Sequence, residues 1–455
     1  MTGTKGDLTT GNVLGRLTGF ALPFLFSCFM QAFYSAVDMW TVGRFSTTAD
    51  LAAVNVGAQV TQIVTGFCVG VSMGTTVLIG HSVGARDKKG ADLALGNSVW
   101  LFVILAVVLT PMMMLCADPI SALMQTPEEA LSAAAVYIRI CGAGVPFIIT
   151  YNVISAILRG DGNSRMPMMF IGIACIVNVA GDLLLTGLLG LGVTGVAIAT
   201  ITAQAVSSVV GITYLKKKGL SFPITKEGFR LSANSVKKIL SVGLPIAAQD
   251  TLINISFIAI TVIANTRGLT DASAVGVVEK LIQLMFLVPT AMMSALSAFT
   301  SQNVGANKME RAVQAVKYGI LMTLAFGILS CGLSQVVGEP MSSFFSTDTE
   351  VIRSAAQYLR TYSIDCIVVA FSFCLNGYFC GIDKSIIVFI HNAISAFGVR
   401  IPLALLFSNM FADTMLPMGL ASPIGSVVSL IICGGFLLWL NKKERGIIHE
   451  QRNKT

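Results

Sequence analysis

The chain has 455 residues, 54% of them hydrophobic and only 12% charged, with a mean hydropathy of +0.78. That balance excludes a water-soluble globule and implies a polytopic membrane protein with the lipid bilayer as its surroundings. The net charge of +7 is explained by topology and contact with anionic lipid, so no nucleic-acid partner is implied.

The N-terminal stretch MTGTKGDLTTGNVLGRLTG has neither the short apolar run nor the small-residue cleavage site of a secretory signal, so the first helix is expected to be retained. A bilayer-spanning helix needs ~20 apolar residues. Six spans are expected at about 19–43, 51–79, 98–116, 133–158, 167–187 and 193–214. Six more follow at about 239–263, 272–299, 318–337, 351–380, 386–408 and 419–440. With both termini placed in the cytoplasm, 23 of the 30 Lys and Arg fall in inside segments and only Arg44 and Arg267 in outside loops. Cytoplasmic loops retain positive charge, so the partition supports twelve spans in the cell (inner) membrane with both ends inside. The expected organisation is an N-terminal bundle over 1–215, a basic cytoplasmic linker over 216–238, a C-terminal bundle over 239–441 and a basic tail over 442–455.

All ten cysteines sit in apolar segments without a CxxC pair, which suits small core residues. Three scattered histidines and the lack of HExxH leave no metal cluster to propose beyond a possible Na⁺ site, and no cofactor is implied.

Shifted by 221 residues, the sequence overlays itself. VGARDKKGADLA at 83–94 falls on VGANKMERAVQA at 304–315, and AAVYIR at 134–139 falls on AAQYLR at 355–360. Gly160 and Ser164 then fall on Gly381 and Ser385. Each half has six spans and starts inside, so the repeats are parallel and related by a pseudo-two-fold axis along the membrane normal. Binding sites in such folds lie between or within the halves near the midplane.

Five acidic residues fall within expected spans: Asp38, Asp182, Asp250, Glu279 and Asp365. Each costs roughly 2.5 to 3.5 kcal/mol at a helix centre, so each should face the bundle interior or water. In PMMFIGIACIVNVAGDLLLTG, Asn178 and Asp182 are four apart and share a helix face. They could pack against neighbouring helices or hold one small ion together. Gln31 and Tyr34 lie on the face of Asp38, Asn55, Gln59 and Gln62 form a stripe in the second span, and Thr200 and Gln204 do so in the sixth. Such stripes serve helix-to-helix hydrogen bonding or wall a polar cavity for substrate. Asp250 and Asn254 repeat the i, i+4 arrangement. Gln283, one turn after Glu279, joins them and Asp365 as candidates for a cavity in the C-terminal half. Glu279 beside Lys280 reads as an internal ion pair with a structural role.

The run YSAVDMWTVGRF followed by LAAV, the VGA motif and the two parallel repeats resemble the multidrug and toxic compound extrusion (MATE) family, in its DinF-like prokaryotic branch of the MOP flippase superfamily. The resemblance covers essentially the whole chain. It implies a coupling-ion site for H⁺ or Na⁺ made by Asp38, Asn178, Asp182 and Thr200, with Tyr137 supporting it and Pro23 letting the first helix bend. It implies antiport of small organic, cationic compounds by a monomer through rocking of the two bundles. Asp365 resembles an Asp used by other members, whereas the Glu that some members carry in the seventh helix has no counterpart here.

A lipid-linked precursor flippase of the same superfamily is the first alternative, but it calls for an Arg- and Lys-lined cavity, whereas acids dominate the N-terminal half. An intramembrane enzyme is the second, and no set of nucleophile, base and orienter is visible.

Overall fold

Apolar stretches in lipid must satisfy their backbone groups internally, and among the described residues, 6–452 of the computed structural model, every regular element is helical. The N-terminal half contains α1 Val13–Phe45, α2 Thr48–Gly84, α3 Lys88–Leu115, the short α4 Ala117–Leu123, α5 Glu128–Gly160, α6 Arg165–Asp182, a π-helical turn at Leu183–Leu188 and α7 Gly192–Lys218. The C-terminal half contains α8 Ala233–Asn265, α9 Leu269–Met285, α10 Leu287–Gly305, α11 Met309–Ser343, α12 Thr349–Tyr362, α13 Asp365–Gly381, α14 Ser385–Ala393, a second π turn at Ile394–Arg400, α15 Ile401–Met410, α16 Leu416–Gly419 and α17 Ala421–Arg452. Among the described residues eleven segments are long and apolar enough to cross a membrane, and α12 with α13, bent by 47°, makes a twelfth. The span expected at 351–380 is therefore broken at Ser363 and Ile364.

Helix starts follow the sequence. Asn12 accepts from the Gly15 amide, and Thr47 with Asp50 forms a reciprocal capping box at the start of α2. These side chains satisfy amides that no helical carbonyl can reach. At the other end of the chain, α17 continues through most of the stretch expected as a basic tail, whose Lys, Glu and Arg are good helix formers. Lys5 and Lys454, both used in the topology argument, lie outside the described residues.

The chain divides into two compact units. Unit 1 comprises Met1–Ala248, Ser294–Ala315 and Cys380–Asp383. Its apolar core includes Ile79, Phe102, Tyr151, Ile157 and Phe170. Within it, residues 222–232 of the linker are pinned to α3. Asp92 accepts from the Thr225 amide at 3.1 Å, Asn97 accepts from the Ser232 amide at 2.8 Å, and Trp100 donates to the Phe229 carbonyl at 3.0 Å. Unit 2 comprises Gln249–Met293, Val316–Phe379 and Lys384–Thr455, with a core that includes Ile282, Tyr358, Leu359 and Tyr362.

Unit 1 also holds the turns of both repeats that carry Arg86, Lys88, Lys89, Lys308 and Arg311, here called the basic end. There the 221-residue register becomes a set of paired contacts. A Cβ on Gly84 would lie 1.9 Å from the Gln302 carbonyl oxygen, and one on Gly305 would lie 2.1 Å from that of His81. Gly160 packs on Thr76 and Ile79, and Gly381 on Ser297 and Thr300. Arg86 and Asn307 share positive φ values of 58° and 57°. Contacts in which i meets j and the repeat of j meets the repeat of i are what a two-fold relation produces.

Candidate ion and substrate site

Asp38 on α1 and Asn178 and Asp182 on α6 are buried, and Thr200 lies opposite them on α7. Asp38 lies beside Asp182, Asn178 and Thr200. Asn178 donates from Nδ2 to Thr200 Oγ1 at 3.4 Å. Small residues bring the helices this close. A Cβ on Gly181 would lie 2.9 Å from the Ala199 methyl, and one on Gly57 of α2 would lie 2.2 Å from the Tyr137 ring. Tyr137, wholly buried on α5, thereby turns toward Thr200. The four residues and Tyr137 form one pocket inside unit 1.

Four acceptor atoms of the pocket are unmet. Asp38 Oδ1, Asn178 Oδ1 and both carboxylate oxygens of Asp182 are buried without a hydrogen-bond partner. An unmet buried acceptor costs roughly 1–3 kcal/mol, more when charged. Two neighbouring carboxyl groups with no cationic side chain beside them among the described residues suit the capture of a proton or a small cation, which oxygen ligands of this kind favour. The π turn at Leu183–Leu188 begins directly after Asp182, and π segments inside helices often mark functional positions.

The expected cavity wall divides by exposure. Asn55, Gln59 and Gln62 are exposed, with Gln59 donating to Asn55 at 3.3 Å. Gln31 is half-buried, and Tyr34 meets the buried Gln204 at 3.5 Å. Pro23 lies in a helix that stays continuous in this structure, and Ser27 Oγ donates to its carbonyl at 2.9 Å.

In unit 2 the reading of Glu279 is corrected. Adjacent helical residues point about 100° apart, and Lys280 is exposed while Glu279 accepts from Thr261 Oγ1 at 3.3 Å. The cation whose field reaches Glu279 is Arg400, at the end of the second π turn. Its guanidinium lies 4.6 Å from the Phe257 ring centroid and donates to the Tyr362 hydroxyl. Buried Asp365 accepts from Ser422 Oγ at 2.8 Å and also feels Arg400. Asn254 bonds the Asp250 backbone carbonyl at 2.8 Å rather than its carboxylate, and Gln283 is exposed. Sequence reasoning gave Arg400 no role; a guanidinium in an apolar helix was the available signal.

A single family model, MatE, matches the chain twice, over residues 23–184 and 245–406. The chain belongs to the MatE family. It is 27% identical over 440 residues to the probable multidrug resistance protein YoeA of Bacillus subtilis strain 168, covering 94% of each chain. It is 28% identical over 433 residues to a FAD transporter of Shewanella oneidensis, covering 92% of this chain and 93% of that one. In fold it is similar to an outward-facing multidrug resistance MATE family transporter of the MOP superfamily, with TM-score 0.91 and 24% identity over 99% and 100% of the two chains. The two MatE matches have equal length and are offset by one residue more than the 221 read from the sequence. This MatE chain is thus a multi-pass membrane transporter built from a duplicated unit.

Proposed function

We propose that this MATE transporter is a secondary antiporter that exports organic, cationic compounds in exchange for H⁺ or Na⁺. The observation that carries the reading is the pocket of Asp38, Asn178, Asp182 and Thr200, in which four buried acceptor oxygens have no hydrogen-bond partner. A cation or proton bound there neutralises carboxylates that are otherwise costly inside a membrane. A cationic substrate in the adjoining polar cavity competes for the same negative charge, so each ligand lowers the affinity for the other. Exchange across the membrane follows when the bundles rock between two accessible states, each selected by the ligand that binds it better.

In this reading the basic end is cytoplasmic, both termini are inside, and the protein acts as a monomer in the cell membrane. Tyr137 holds Thr200 toward the ion, and Pro23 is where α1 bends between states. No cofactor and no covalent step is involved. The name of the YoeA relative supports a drug-like substrate, whereas the FAD transporter relative keeps an anionic one in view.

The deciding experiment reconstitutes the full chain in proteoliposomes and imposes proton and Na⁺ gradients separately. Efflux of an organic cation such as ethidium should follow at least one of them. Ethidium movement indifferent to both gradients sinks the antiport reading.

A further inference from the structure

The C-terminal half contains a second version of the ion pocket with its contents changed. Gly160 corresponds to Gly381 and Ser164 to Ser385 at an offset of 221. The π turn at Ile394–Arg400 then takes up one residue more than α-helix would, and the offset becomes 222. The two family matches, which end at 184 and 406, have that same offset at their ends. On this register Asn178 corresponds to Arg400 and Asp182 to Ala404. Tyr358, the repeat of Tyr137, is likewise wholly buried.

The two pockets differ in what neutralises their acids. In the N-terminal half two carboxylates meet no cationic side chain. In unit 2 two carboxyl groups, Glu279 and Asp365, lie in the field of the Arg400 guanidinium, which also faces Tyr358 and Tyr362. Among the described residues no ion pair joins Arg400 directly to either acid, and its Nε is buried without a partner. Stacking on Phe257 and Tyr362 holds the guanidinium in place. An arginine keeps its charge at any physiological pH.

We infer that Arg400 is a tethered cation standing where the N-terminal half binds its exchangeable one, so that the C-terminal half takes up no coupling ion. The inference rests on the N-terminal pocket being the coupling site. Transport is then driven by one half alone, and the acids of the other serve to hold the arginine.

The test counts cations on the purified full-length protein, as radioactive Na⁺ bound and as protons taken up between alkaline and mildly acidic pH. Arg400→Asn, which installs the residue of the N-terminal pocket, should bind one cation more than the parent, and Arg400→Lys should bind the parent number. In an Asp182→Asn background the extra cation should persist, and it should vanish on adding Asp365→Asn. A folded Arg400→Asn protein with the parent count overturns the inference. Should Arg400→Asn not fold, Asp365→Asn in the parent decides: an unchanged count supports the tethered cation, and a count lower by one overturns it. Asp182→Asn alone tests the coupling site, since an undiminished count there refutes that reading whatever Arg400 does.

Discussion

His81 and Gln302, which are 221 residues apart, make the same bond to one another's half of the chain. His81 Nε2 lies 2.7 Å from the Gly381 carbonyl, and Gln302 Nε2 donates to the Gly160 carbonyl at 2.8 Å. The two glycines are themselves repeats, so the bonds form a symmetric clasp at the basic end, with Asp383 3.5 Å from His81 Nδ1. A typical intramolecular hydrogen bond contributes about 0.5–1.5 kcal/mol.

The clasp makes an asymmetric prediction. His81→Gln should leave the basic end closed, because Gln already makes this bond from the other half. His81→Ala should open it by about 1 kcal/mol of population shift. Gln302→Ala should act more strongly, since its Oε1 also accepts from the Leu8 amide at 3.1 Å. Spin-label distances between basic-end positions report the populations. Equal opening in His81→Gln and His81→Ala means that the imidazole holds the end by something other than this bond.

The N-terminal segment straps that same end. The Leu8 carbonyl accepts from Asn303 at 3.2 Å, and the Thr9 carbonyl accepts from Lys308 at 2.8 Å. Asp7 organises the strap by accepting from the Thr9 amide at 2.8 Å and the Thr9 hydroxyl at 2.6 Å. Partial burial pushes its carboxyl upward, but the bonds from Thr9 and Thr10 and the Lys308 charge outweigh it and hold the carboxyl below its ordinary 3.8. A depressed folded value stabilises fully above the unfolded value and is lost as pH falls through the folded one. Exchange protection of the Thr9 amide should therefore stay flat from neutral pH to 3.8 and drop only below it. Asp7→Asn should lower that protection at neutral pH. A decline that begins near neutrality assigns the strap to another group.

Much of this architecture was legible because membrane insertion writes it in composition. Apolar length gave the spans, and the register that sets Gly84 on Gly305 reappears in the contacts these glycines make. Helical spacing puts Asn178 and Asp182 on one face, whereas Thr200 was joined to them only through the resemblance. The partner of Glu279 was not: Arg400 lies on another helix, and its register depends on a π turn that periodicity at 3.6 residues cannot register. The break at Ser363 was also hidden, since the run on both sides is apolar. The clasp joins residues about 140 and 300 apart, which no local pattern encodes.

Topology can be checked independently of transport. Lys217, at the exposed end of α7, belongs to the basic linker that the Lys and Arg partition places inside. Lys217→Cys in an otherwise cysteine-free chain should react with an impermeant maleimide only after the cells are opened. Labelling in intact cells reverses the orientation and with it the direction of the proposed exchange.

The aspartates of the N-terminal pocket separate function from packing. Asp182→Asn keeps the shape and removes the titratable charge, and both oxygens of Asp182 lack donors, so the added amide hydrogens can meet Asp38. The protein should fold as stably as the parent or more so, because an uncompensated buried carboxylate is replaced by a neutral donor. Gradient-driven efflux should nevertheless fall by at least tenfold, about 1.4 kcal/mol of lost coupling. Asp38→Asn should behave likewise, and Lys226→Ala, on the exposed linker, should keep the parent rate. A purely structural pocket predicts the opposite pattern, in which melting temperature drops and the surviving protein exchanges normally. Melting curves and proteoliposome efflux on the same preparations distinguish the two, and parent-rate exchange in both well-folded Asn variants moves the coupling site out of the N-terminal half.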